Sequence, residues 1–164
     1  VQERVVSMSL VHQKMHQASN YIEISVKDYV KQLVENVEGD YFEGEVEIDL
    51  QIPSEIHIDM ESSVPFGLII NEIITNFFKH AGDTTSNKKS CVLNVKRESG
   101  NALLILYKDN GNGFGESVQK INGQTIGLEL IDLLVGQLNG VFDFYNKQGA
   151  VYEIHLDFDE QVNV

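Results

Sequence analysis

Residues 64–81 read VPFGLIINEIITNFFKHA, and the way this run distributes its polar side chains decides the architecture. Leu68, Ile69, Ile70, Ile73, Ile74, Phe77 and Phe78 are apolar on almost every side of a helix of 3.6-residue period, so the segment is a helix buried on more than one face. Pro65 suits a helix's first turn, where its missing N–H costs nothing, and the expected helix runs from about Ser63 to Ala81. Against this background Glu72, Asn76, Lys79 and His80 stand at i, i+4, i+7 and i+8, one narrow polar stripe. Burying an acid, an amide and a lysine without partners is costly. Spacing alone leaves two readings open. The stripe is the wet side of a core helix, or it faces a metal–polyphosphate. In the second reading Asn76 ligates a hard cation, Glu72 orients or deprotonates a water or hydroxyl, and Lys79 and His80 face phosphate oxygens.

Upstream, Val5, Met8, Val11 or His12, and Met15 recur at helical spacing over Val1 to Gln17, and Asn20 to Ser25 reads as a break. Ser25 has the character of an N-cap, with Asp28 in the following turn, ahead of a second amphipathic helix marked by Tyr29, Val30, Leu33, Val34 and Val37 and ended by Gly39-Asp40. Glu45 to Gln51 alternates cleanly as a half-buried strand, Pro53-Ser54 is a turn, and Ile56, Ile58 and Met60 alternate as a short second strand. Downstream, Gly82 to Lys89 reads as a loop, and Cys91 to Arg97 and Ala102 to Lys108 as strands joined at Ser99-Gly100-Asn101. Gly127 to Leu138 is helical, followed by strands Val141 to Tyr145 and Val151 to Phe158 around Gln148-Gly149. The order α-α-β-β-α-β-β-α-β-β predicts an α+β fold, a two-layer α/β sandwich of mostly antiparallel sheet with helices on one face.

The 164 residues suffice for one core, and 42% apolar against 23% charged residues excludes wholesale disorder. A formal charge of −13 disfavours nucleic acid and anionic membranes as partners. Cys91 is the one cysteine, so no intrachain disulfide and no cysteine-based zinc site is possible, and a reducing, cytoplasmic setting is expected. No apolar run approaches the roughly 18–20 residues of a membrane span. The chain begins with Val and reads as a piece of something larger, so any membrane attachment would come through other segments.

Asp109-Asn110-Gly111-Asn112-Gly113-Phe114-Gly115 follows a strand. A calcium loop needs ligands where Gly111 and Gly113 stand, the glycine spacing is wrong for a dinucleotide fingerprint, and no G-x-x-x-x-G-K-[ST] loop occurs. A strand ending in a carboxylate, followed by alternate glycines that permit close backbone approach to a flat ligand, is what remains. Gln124-Thr125-Ile126-Gly127-Leu128 then opens a helix whose N-terminus is a weak anion-site signal on its own.

In this order the elements resemble the ATP-binding domain shared by gyrase, MutL and the histidine kinases, the Bergerat fold. NEIITNFFKHA at Asn71–Ala81 is similar to the N box, DNGNGFG at 109–115 to the G1 box, and TIGLELI at 125–131 to a reduced G2 box. The flanking text and GQLNG at 136–140 resemble the sensor kinases of the HWE and related second-type histidine-kinase subfamily. No phenylalanine-bearing F box separates the two glycine boxes, and the lid is short. The resemblance implies ATP and Mg²⁺ as ligands. Glu72 would be the general base or water-positioning acid, and Asn76 the Mg²⁺ ligand bridging to phosphates. Lys79 and His80 would contact phosphate or ribose, and Asp109 would accept from the adenine amino group. Gly111 and Gly113 would let the backbone approach the base, Gly127 and Leu128 would open the phosphate-holding helix, and 116–126 would be the lid.

The resemblance also implies a division into residues 1–19, the end of a dimerising phosphoacceptor hairpin, and 20–164, the catalytic domain. His12 and His16 lack the neighbours of a phosphoacceptor, and no third ligand makes them a metal pair. His57 and His155 read as ordinary strand residues. The expected activity is transfer of the γ-phosphoryl group to a histidine outside this chain and thence to a response-regulator aspartate. The expected partners are the protein's own hairpin, a receiver domain and a second copy in the full-length homodimer. An anti-sigma-type serine kinase of the same fold, and an interaction module with a decayed nucleotide site, are the alternatives.

Overall fold

The computed structural model describes residues 22–41, 45–80, 88–115 and 126–158. The first expected helix, the candidate histidines His12 and His16, the boundary at residue 19, and all of the expected lid except Ile126 lie outside them. The elements are β1 (Glu23–Ser25), α1 (Val26–Tyr41), β2 (Glu45–Gln51), β3 (His57–Asp59), α2 (Met60–His80), β4 (Lys88–Arg97), β5 (Leu103–Asp109), α3 (Ile126–Gln137), β6 (Val141–Asn146) and β7 (Ala150–Leu156).

The main sheet has the order β2-β4-β5-β7-β6, in which β2 and β4 run parallel and every other neighbouring pair is antiparallel. A parallel pair needs a long crossover, and β3 with α2 supplies it between β2 and β4. Leu93, Val95, Ile105, Tyr107, Tyr152 and Ile154 alternate onto one face and join the buried faces of the helices in a single core. The opposite face carries Asp49, Asn94, Lys96, Lys108, Glu153 and His155. This is the expected two-layer α+β arrangement.

Local chemistry sets the helix ends. Ser25 Oγ accepts from Asp28 N–H at 3.3 Å, and the Val26 N–H is taken by the Ile56 carbonyl at 3.0 Å. The residues from Glu23 to Ser25, expected as a break, form a strand: β1 pairs antiparallel with β3, Ile24 opposite Ile58, both buried. That pairing also shortens the expected second strand, because Met60 already belongs to the helix. α2 starts before Pro65 rather than near it. Asp59 caps it, Oδ1 accepting from Ser62 N–H at 2.9 Å and Oδ2 from Ser62 Oγ at 2.7 Å. β4 begins at Lys88, inside the expected loop, because parallel pairing with β2 sets Lys88 Nζ 2.7 Å from Glu47 and because Asn110 bonds its first residues. α3 ends in a Schellman turn, with Asn139 at φ 50° and Gly140 N–H donating to the Val135 carbonyl at 2.9 Å.

Candidate functional site

Asp109 closes β5 opposite Cys91 of β4 and is only 7% exposed. Its carboxylate accepts three hydrogen bonds, each 2.9 Å: Oδ1 from the N–H groups of Gly111 and Ala150, Oδ2 from the Tyr107 hydroxyl. A buried carboxylate demands such partners. The donor from Ala150 is available because Gly149, at φ 127°, brings the β6–β7 turn against Asp109. Burial first, then the neighbouring Cys91 and Asp109 charges, push the Tyr107 phenol well above its ordinary range, so it stays a donor. Burial, with the charges of Asp109 and Asp49 behind it, likewise raises the Cys91 thiol.

The glycine-rich turn after Asp109 is held by two asparagines. Asn110 Oδ1 accepts from Ser90 N–H at 2.9 Å and its Nδ2 donates to the Lys88 carbonyl at 3.0 Å, tying the turn to β4. Asn146 Oδ1 accepts from Phe114 N–H at 2.7 Å while its Nδ2 donates to the Phe114 carbonyl at 3.0 Å. Gly113, at φ 72°, is where Asn146 comes so near that a β-carbon would lie 2.7 Å from its Cγ. The Phe114 ring then packs edge-on against Phe144 and Tyr152, with centroids 5.0 and 5.3 Å away.

On α2, Glu72 is 7% exposed and Asn76 half-buried. Both abut the start of α3: a β-carbon on Gly127 would lie 3.1 Å from Glu72 Oε2 and within 3.8 Å of both amide atoms of Asn76. Leu128, beside it, is buried in the core. Asn76 Nδ2 donates to the Tyr152 hydroxyl at 3.3 Å, and burial raises that phenol to about 12. Tyr152 and Tyr107 are register partners on β7 and β5 with rings 5.4 Å apart, edge to face. A continuous polar and aromatic path therefore runs from Glu72, Asn76 and Gly127 through Tyr152 and Tyr107 to Asp109 and Gly111.

Lys79 and His80 are exposed at the last turn of α2, Lys79 Nζ lying 5.8 Å from the Tyr41 ring centroid, and they are not drawn into that group. His57 and His155 are strand residues, as expected; His57 is exposed, and His155 bonds Glu98 and Glu153. Among the described residues no set of three His, Cys, Asp or Glu side chains is placed to hold a metal. A cleft of about 520 Å³ lies at the opposite end of the sheet, between Ile22, His57, Arg97 and Phe158, and touches neither Asp109 nor Asn76. Among the described residues no helix is long and apolar enough to cross a membrane. Tyr107, Asn110, Asn146, Gly149 and Tyr152 were not among the expected site residues. Tyr107 stands two residues before Asp109 on one strand face, a signal legible by period alone.

A family model described as histidine kinase, HisKA_2, matches residues 1–41. No curated protein matches. The structure is similar to the histidine kinase domain of the Erythrobacter litoralis EL346 blue-light activated histidine kinase, with TM-score 0.84 and 20% identity over 98% of this chain and 80% of that one. Against EL346 itself the TM-score is 0.83 at 22% identity, again over 98% of this chain, which spans 54% of that longer protein. The mycobacterial sensor histidine kinase MprB aligns at TM-score 0.61 and 13% identity, over 84% of this chain and 97% of that one. ShkA, solved full-length in complex with AMPPNP, aligns at TM-score 0.62 and 16% identity over 94% of this chain and 35% of that one. The chain thus has the fold of histidine kinase catalytic domains, led by a segment that matches the histidine kinase family model.

Proposed function

We propose that this chain is the Mg-ATP-binding catalytic domain of a sensor histidine kinase. It would pass the γ-phosphoryl group to a histidine outside these 164 residues, from which a response-regulator aspartate receives it. The observation that carries this reading is the joining of Glu72, Asn76 and the Gly127 helix start to the Asp109 strand end by the Asn76–Tyr152 bond and the Tyr107–Asp109 bond. That arrangement offers a carboxylate acceptor at one end of a site and an amide oxygen, an acid and a helix N-terminus at the other, which suits a base joined to a polyphosphate.

Asp109, fixed by its three donors, accepts from the adenine 6-amino group, a position where guanine bears a carbonyl oxygen instead. Gly111 and Gly113 line the base; Lys79 and His80, exposed at the last turn of α2 and outside that group, would meet phosphate or ribose only at the margin of the site. Gly127 and Leu128 present helix N–H groups to phosphate oxygens. The donor set fits Mg²⁺, which takes few protein oxygens; Asn76 Oδ1 would be its protein ligand. Held there, Mg²⁺ would supply neutralisation of the phosphate charge. Glu72 orients the incoming imidazole or takes its proton.

The reading also carries the proposed partners: the protein's own hairpin, a receiver domain, and a second copy in the full-length homodimer. ShkA's complex with AMPPNP supports nucleotide binding by this fold, and the family-model match at residues 1–41 favours a histidine kinase over an anti-sigma-type serine kinase.

Calorimetry of the chain with Mg²⁺ and AMPPNP tests the reading. Heat of binding is expected for the native chain and none for Asp109→Ala, while Glu72→Gln binds nearly as tightly; with ATP and the hairpin that carries the acceptor histidine, Glu72→Gln should transfer no phosphate. Absence of heat at high ligand concentration would instead favour an interaction module with a decayed site. Transfer of labelled phosphate to a serine protein would favour the serine kinase.

A further inference from the structure

Tyr107 and Tyr152 are buried neighbours on adjacent strands. Phenylalanine would fill either place with the same ring, so the core itself has no use for the two hydroxyls. Each is directed at one end of the candidate site: Tyr107 Oη donates to Asp109 Oδ2 at 2.9 Å, and Tyr152 Oη accepts from Asn76 Nδ2 at 3.3 Å. We propose that Tyr152 is a positioning residue that turns the Asn76 carboxamide so that its oxygen meets the metal, while Tyr107 positions the Asp109 carboxylate for the base. This rests on the Mg-ATP reading above.

A carboxamide is nearly symmetric in shape but opposite in polarity at its two ends. Rotated by half a turn, Asn76 would offer an NH₂ group to a cation, which ligates nothing and repels. A tyrosine hydroxyl can pair with either end; in this structure it accepts from Nδ2, which tethers the amide with Oδ1 as the end left for the ion. At Asp109 both N–H donors act on Oδ1, while the Tyr107 hydroxyl donates to Oδ2 and fixes the plane of the carboxylate. Oδ2 keeps acceptor capacity for a second donor, the base. Because the tyrosines touch edge to face, a shift of one ring is felt by the other, and both ends of the site are aligned by one cross-strand pair.

The test is calorimetric titration of the 164-residue chain with AMPPNP, with and without Mg²⁺. In Tyr152→Phe the factor by which Mg²⁺ tightens binding should fall by about 3- to 10-fold, the worth of one hydrogen bond, while metal-free affinity stays within about twofold. Tyr107→Phe should weaken binding by a similar factor, about 3- to 10-fold, both with and without Mg²⁺, leaving the metal factor unchanged. In an Asn76→Asp background either carboxylate oxygen can ligate, so adding Tyr152→Phe should no longer alter the metal factor. Circular dichroism melts establish that the phenylalanine variants, which keep their rings, are folded. An intact metal factor in Tyr152→Phe, or an equal loss with and without Mg²⁺, would overturn the proposal and leave the tyrosine a packing residue. Failure of the unsubstituted chain to bind AMPPNP at all would instead remove the Mg-ATP reading, and this proposal with it.

Discussion

Gly149 abuts Asp109 so closely that a β-carbon at position 149 would overlap the Asp109 carbonyl oxygen and lie 2.9 Å from its Oδ1. The glycine also holds φ at 127°, which side chains rarely adopt. Together these let the β6–β7 turn deliver the Ala150 N–H to the carboxylate. Gly149→Ala should therefore cost about 1–3 kcal/mol of stability from backbone strain alone. Adenine nucleotide binding should fall further than the lost stability accounts for, because Asp109 is displaced. Urea denaturation and calorimetry on the same preparation read the two effects, and an unchanged unfolding midpoint would contradict the strain.

The alternation of β2 and the apolar wrap of α2 were legible because each depends on a residue's own neighbours in sequence. Asp109 was legible as well, since a carboxylate ahead of alternate glycines is a local pattern. Asn146, Gly149 and Tyr152 were not: they reach the site through the β5–β7 and β6–β7 register, which tertiary pairing sets. β1 escaped for the same reason, being three residues stabilised by pairing with β3. Lys88 and Lys89 read as loop because the polar run hides a strand that β2 and Asn110 complete. Pro65 drew the expected start of α2 too far along; the Asp59 cap, not the proline, decides it.

His155 gives the outer sheet face a pH dependence. Its hydrogen bond to Glu98 at 3.0 Å is the main cause of a pKa above the ordinary 6.5, with Glu153 at 3.3 Å adding to it and partial burial opposing. A raised folded pKa means that the imidazolium contributes stability below the unfolded value and that this contribution disappears as pH rises through the folded one. Since His155 is 41% exposed, solvent screening keeps the effect to roughly a few tenths of a kcal/mol. Thermal melts on the two sides of neutrality should show a slight loss of stability toward alkaline pH. That slope should shrink in salt and vanish in His155→Gln. A slope that survives the substitution would assign it to another group.

Substitution of Gly127 should separate folding from ligand binding. Alanine favours a helix over glycine by about 1 kcal/mol, but its β-carbon would press on Glu72 Oε2 from 3.1 Å, so the neighbouring acid must shift by a few tenths of an ångström. The two effects oppose each other, and Gly127→Ala should leave stability within about 1 kcal/mol of the native chain. Nucleotide affinity should nevertheless drop, because the added methyl enters the space between the α3 start and Asn76. Equal affinity in calorimetry would show that this space is not where phosphate binds.

Gly67 and Tyr29 join α2 to α1. The Tyr29 ring lies over Gly67 so closely that a β-carbon there would be 2.6 Å from Cζ, and the buried hydroxyl has no hydrogen-bond partner among the described residues. Burial alone drives that phenol far above its ordinary pKa, so it is neutral throughout the physiological range. Gly67→Ala should destabilise by about 1–3 kcal/mol through overpacking, despite the gain in helix propensity. Tyr29→Phe removes an unsatisfied polar atom without opening a large cavity, and should be neutral or stabilising by up to about 1 kcal/mol. Because the hydroxyl is the atom nearest the added methyl, the pair should couple: Tyr29→Phe should recover part of the Gly67→Ala loss, an interaction of about 0.5 kcal/mol or more in a double-mutant cycle. Strict additivity in guanidinium unfolding would mean that the helices separate locally rather than collide at the hydroxyl.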